Sequence, residues 1–277
     1  MMENDFITKA EFEAFLPVAK TPANQTGIYD MVSSRFEQDY DTVINMYVGT
    51  YLSDSTRMPE ELRYNVKRLV SIMSFIGMFR ELDLVLTPTG FGIVNNNNVA
   101  PASKERVDAL FISLWKQHDT AREALLICLT KQSSWSETLQ ANLSIDTLCW
   151  TKSLVEQFAG IADPDHDTFI KTLAQIRLIE ARMADKISFE LKEELLAAIR
   201  SNSLTSVQQS LLRYIYMFIG YELKENHSGA KGRLAQVINF LDGHLSDFPT
   251  YKNSQAYSLN NNRGYQNAQQ DSTYFFK

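Results

Sequence analysis

Apolar residues recur every three or four positions along most of this 277-residue chain, the spacing of one face of an α-helix. Ile28, Met31, Val32, Phe36, Tyr40, Val43, Ile44, Tyr47 and Val48 trace one such face. After Pro59, which suits a first helical turn, Leu62, Val66, Leu69, Val70, Ile72, Met73, Phe75, Ile76, Met78 and Phe79 cover most sides of a second helix. A helix apolar nearly all round belongs at the centre of a fold. Val107, Leu110, Phe111, Leu114, Ala121, Leu125 and Cys128 predict a long helix opened by Ser103. Further helices are predicted over Phe169–Met183, Leu191–Ile199 and Leu211–Ile219, with a loop at Asn226–Gly232 and a last short helix ending before Gly243. Thr8–Glu11, Ser134–Glu137 and Ser206–Gln209 each have the spacing of a helix-opening cap.

Two stretches break this pattern. Leu84-Val85-Leu86 and Phe91-Gly92-Ile93-Val94 are short β-type runs around Thr87-Pro88-Thr89-Gly90, a turn sequence. They predict a hairpin over about 84–94. A lone hairpin is marginal by itself, so it is expected to project and pair with another chain. Leu84, Leu86, Pro88, Phe91 and Ile93 are its expected assembly contacts. From Tyr251 the text turns to Asn and Gln with interspersed aromatics, which predicts an extended C-terminal arm over 251–277 that builds no core. Tyr265, Tyr274, Phe275 and Phe276 are its expected anchors on a partner. The fold class is therefore mainly α: a helical bundle over 1–250 with one projecting hairpin and the arm. Phe75-Ile76-Gly77 and Phe218-Ile219-Gly220 hint at two halves, about 1–130 and 131–250.

Charge and chemistry narrow the function by elimination. A formal charge of −6 argues against a broad basic nucleic-acid face. Cys128 and Cys149 lie in apolar helical text and read as buried free thiols. No basic, apolar leader opens the chain, and no apolar run approaches a membrane span. Asp163-Pro164-Asp165-His166-Asp167 begins like a calcium loop, but Thr168 and Ala174 stand where its glycine and glutamate belong. An acidic helix start explains it better. Gly90-Phe91-Gly92 lacks the third glycine of a dinucleotide fingerprint, and Gly229-Ala230-Lys231-Gly232-Arg233 lacks P-loop spacing. His118, His166, His227 and His244 show no metal-ligand spacing. Glu11, Glu13, Glu180, Glu190, Glu193 and Glu194 are expected on solvated helix faces. No catalytic residue, cofactor or metal is predicted.

The block Glu61-Leu62-Arg63-Tyr64-Asn65-Val66-Lys67-Arg68, the run Leu84–Val94 and Pro101-Ala102-Ser103-Lys104-Glu105-Arg106-Val107 together resemble a family of uncharacterised proteins of tailed phages and prophages of gut bacteria. The resemblance covers about residues 59–126 and rests on structural motifs. It implies a virion component of the head–tail connector, assembled in the host cytoplasm. Such a subunit forms a homo-oligomeric ring, contacts portal and tail or neck proteins, and lets DNA through its lumen without reading sequence. An intracellular helical enzyme or ligand-binding protein with an unrecognised pocket is the alternative.

Overall fold

The structure, a computed structural model, describes residues 6–20, 27–49, 58–81, 84–87, 90–93 and 103–261. The protein is mainly α-helical. Helix α1 (Lys9–Phe15) opens on the expected capping box, with the Glu11 amide on Thr8 Oγ1 and the Thr8 amide on Glu11 Oε2. The same Glu11 carboxylate receives Lys67 Nζ at 2.7 Å, which ties α1 to α4 (Glu60–Met78). Helices α2 (Ile28–Val32) and α3 (Phe36–Val43) run on through a π-helical turn, Ile44–Val48, that stops at Gly49 with φ 88°. Their predicted stripe is buried at Val32, Phe36, Tyr40, Val43, Ile44, Tyr47 and Val48, while Met31 stays exposed. Helix α4 packs against α1, α2, α3 and the long α5 (Lys104–Thr130), the central position its sequence predicts. Between α4 and α5, Leu84–Thr87 (β1) and Gly90–Ile93 (β2) pair antiparallel, Leu84 opposite Ile93 and Leu86 opposite Phe91. Pro88 lies outside the described residues.

The second part comprises α6 (Leu139–Ser144), α7 (Lys152–Leu154) with its π-helical continuation Val155–Ala159, α8 (His166–Ile187), α9 (Phe189–Arg200), α10 (Ser206–Leu223), α11 (His227–Gly243), α12 (Pro249–Lys252) and α13 (Gln255–Asn261). Four expectations need correction here. Ser134 caps no helix; α6 begins five residues later on Thr138, whose side chain accepts from the Ala141 amide. Trp135 overrides the local signal: it is fully buried, and its indole N–H donates to the Tyr47 carbonyl at 2.7 Å. A buried indole needs an acceptor, and this one holds the 131–138 stretch in turns. Thr205, not Ser206, caps α10.

Asn226–Gly232 is helical rather than a loop: Asn226 caps α11 by accepting from the Gly229 amide. Gly229 suggests a turn, yet it is there for closeness, since a Cβ would meet the Tyr221 ring on α10 at 2.3 Å. The composition change at Tyr251 also misleads. Tyr251 is fully buried and meets Tyr257 edge-on at 5.4 Å. Asn260 donates to the Lys186 carbonyl at 2.8 Å and Asn261 to Asp242 at 3.3 Å. The asparagines here are side-chain donors to neighbouring helices, so the body extends to Asn261. Tyr265, Tyr274, Phe275 and Phe276 lie outside the described residues. Both thiols are free and buried, and burial pushes Cys149 up to about 12, which leaves it unreactive.

Helix α10 crosses the π-helical turn after α7 so closely that a Cβ on Gly220 would stand 2.1 Å from the Phe158 carbonyl oxygen. Gly220→Ala is therefore expected to destabilise the protein by about 1–3 kcal/mol. The readout is a lower urea midpoint with an unchanged slope. Gly243→Ala, where a Cβ meets no described atom within 4 Å, should not lower the midpoint.

Candidate functional site

The start of α8 meets the middle of α5 in a cluster of ionisable and aromatic side chains. On α5, Trp115, His118 and Asp119 are three and four residues apart and so share one face. His166 is the first residue of α8, fixed there by Asp165, whose carboxylate accepts from the Thr168 amide at 2.8 Å. The approach to that cap is set by Asp163, which sits at φ 43° and pairs with both Lys116 on α5 and Lys152 on α7. Asp119 Oδ1 is 2.7 Å from His166 Nδ1 and 3.3 Å from His118 Nδ1. The His166 ring stacks on Trp115 at 4.4 Å, and His118 meets the same indole edge-on at 5.1 Å. His118 and Asp119 are buried, and His166 is about a quarter exposed.

A carboxylate in this setting needs donors. Burial works to raise the Asp119 pKa, but hydrogen bonds from His118 and His166 prevail and hold it below its ordinary value. Both imidazoles offer Nδ1 to one oxygen, Oδ1, while the buried Oδ2 has no hydrogen-bond partner among the described residues. An open cleft of about 390 Å³ lies on the Asp163 side, lined by Thr120, Glu123, Ile127, Lys152, Glu156 and Asp163. Glu123 forms its floor chemistry, accepting from the Lys152 amide and the Ser153 hydroxyl at the start of α7.

A second buried carboxylate, Glu180 on α8, is fully enclosed rather than on a solvated face as its abundance of neighbours in type suggests. Its Oε1 accepts from the amides of Leu148 and Cys149, at 2.8 and 3.3 Å. Those amides belong to the irregular stretch between α6 and α7, whose Ile145 carbonyl is taken by Arg200 Nε at 2.9 Å. Buried irregular backbone must find partners, and side chains of α8 and α9 supply them. Burial pushes the Glu180 carboxyl up from 4.5 to about 7, outweighing its amide donors and the Lys192 charge.

The structure brings together residues that sequence spacing keeps apart. His118 and His166 have no ligand-like spacing, yet Asp119 joins them. Asp165 is the helix start its acidic context predicts. Glu180 was legible in principle: it continues the buried series Leu173, Ile176, Met183 and Ile187 at helical intervals. Of the predicted assembly contacts, Leu84, Leu86, Phe91 and Ile93 lie on the paired strands, and the rest fall outside the described residues.

Residues 28–143 and 221–261, more than half of the chain, match a family described as a family of unknown function, DUF6712. The chain belongs to that family. No curated protein and no solved structure matches it. The DUF6712 match takes in Trp115, His118 and Asp119 on α5, whereas His166 and Glu180 lie in the part it leaves out. No helix among the described residues is long and apolar enough to cross a membrane.

The Glu180 environment predicts a pH dependence. The folded protein holds this proton more tightly than the unfolded chain, so stability falls as pH rises from about 4.5 to about 7 and levels off above. The loss across that window is on the order of a few kcal/mol. Glu180→Gln, which keeps an acceptor for the two amides without a titrating proton, should gain on the native protein as pH rises. Urea midpoints of the two proteins measured across the window check this; a constant difference would refute it.

Proposed function

We propose that the chain is a structural subunit of a tailed-phage virion, a head–tail connector protein that joins portal to tail through subunit–subunit contacts in a ring. The observation that carries this reading is a groove beside α13, the last described helix, in which exposed apolar side chains stand among polar ones. The groove, about 650 Å³ and open, runs between the α8–α9 junction and α12–α13. Phe189 is 61% exposed and Leu259 66%, and they share the lining with Ala184, Ala256 and polar side chains such as Asp185, Glu190 and Asn253. Large apolar side chains left in water favour a guest.

The guest is residues 262–277 of a second copy. Those sixteen residues follow α13 directly, carry Tyr274-Phe275-Phe276, and can span at most about 50–60 Å when extended. Aromatic anchors suit a groove whose exposed side chains include Phe189 and Leu259. A head-to-tail exchange of this kind closes into a ring when its rotation allows. The two-stranded sheet supports the same reading, because its outer edges can take a further strand from another chain. The resemblance over 59–126 to phage proteins points to the virion, and a net charge of −6 suits a lumen through which DNA passes unheld.

Mass measurement in solution tests the proposal. The full chain should form a closed oligomer, alone or on a portal ring. The chain ended at Asn261, and the full chain carrying Phe189→Ser, should stay monomeric with native helix content. Deleting 87–91 should likewise leave the monomer folded and abolish assembly. A full chain that remains monomeric with and without portal protein overturns the reading, and so does an oligomer that truncation leaves intact.

A further inference from the structure

The cluster at the α5–α8 contact has no part in the assembly just described, and its chemistry points elsewhere. Two imidazoles and a carboxylate converge from two helices, with one donor atom of each lying within 4.8 Å of the others. Both imidazoles address Asp119 Oδ1 alone. Oδ2 is buried without a hydrogen-bond partner among the described residues, on a side chain 2% exposed. A carboxylate buried with only one oxygen hydrogen-bonded is incompletely compensated, and a cation held by that carboxylate supplies the missing charge.

We propose that His118, Asp119 and His166 form a binding site for a divalent transition-metal ion of the zinc class. Two imidazole nitrogens and one carboxylate oxygen suit zinc, iron, cobalt or nickel; magnesium and calcium favour all-oxygen shells. A tetrahedral ion with bonds of about 2.0–2.1 Å separates its donors by about 3.3 Å. His118 Nδ1 and Asp119 Oδ1 already stand at 3.3 Å. His166 Nδ1 and Oδ1, at 2.7 Å, are at the distance of a hydrogen bond, so the ion takes the place of that ring proton and the pair opens by about half an ångström. The proton moves to Nε2, leaving Nδ1 as the ligand, and no redox change is involved. Trp115, stacked on His166, restricts the ring to one plane. Lys116 and Lys152 do not oppose the cation with free charge, since Asp163 pairs with both. Three protein donors leave a fourth position for water, reached past the partly exposed His166.

The test uses the full chain after treatment with a chelator. Zinc is titrated by calorimetry, and cobalt by its visible absorption, whose intensity reports four-coordination. One ion per chain is expected. His166→Gln, altering the most exposed of the three, should weaken binding at least as much as the roughly 10–100-fold that loss of a supporting residue costs other metal sites. Asp119→Asn should do the same. His227→Gln, at a histidine 73% exposed that faces Glu222, should bind as the native chain does. A thermal midpoint raised by zinc in the native chain and in His227→Gln, but not in His166→Gln, gives an independent readout. Absence of saturable binding, or equal binding by His166→Gln, overturns the proposal and leaves the imidazoles as hydrogen-bonded supports of Asp119.

Discussion

A carboxylate taken out of water must be given donors or a cation, and two such groups fix how the helices of this protein meet. Asp119 requires that the start of α8 come to the middle of α5, because one of its donors is His166. Glu180, four turns further along α8, requires that the stretch between α6 and α7 lie against that helix, because its donors are the amides of Leu148 and Cys149. With both ends of that relation set, α8 has little freedom to slide along α5. Apolar packing at Leu114, Ala121, Leu125 and Cys128 supplies the driving force on α5, but it would tolerate a small shift; the polar contacts would not.

Elsewhere the same division of labour recurs. Burial along α4 is mainly apolar, and one of its buried polar groups, Ser74, answers another carboxylate, Asp39, at 2.7 Å. Glycines admit close crossings where a side chain would hold helices apart, at Gly220 against Phe158 and at Gly229 against Tyr221. Polar pairs thus set register, and small residues set distance.

The helices that carry a regular apolar stripe, α3, α4, α5, α8 and α10, are legible in the sequence because burial of one face imposes the period. Misreadings arise where a distant contact overrides a local signal. Ser134–Glu137 has cap spacing, but Trp135 is drawn to a carbonyl 88 residues earlier. Gly229 and Gly232 look like a loop, but the first is small for the sake of Tyr221. The asparagines of 260–261 look like tail composition, yet they donate to Lys186 and Asp242. The histidine pair was out of reach for the same reason: 47 residues separate Asp119 from His166, and no spacing rule joins them. Glu180 differs, since its place in a buried helical series was readable from the start.

The bond from Trp135 to Tyr47 also bears on how the chain is made. The π-helical turn at 44–48 emerges from the ribosome long before the indole that covers its carbonyl. At about 5–20 residues per second, the 88 intervening residues take about 4–18 s to synthesise. For that interval the Tyr47 carbonyl lacks its donor, and the turn that holds the buried Tyr47 and Val48 lacks α6, which packs against it. The N-terminal helices therefore wait, incompletely covered, for a segment beyond α5, and a nascent chain stalled before residue 135 would present that apolar surface to chaperones.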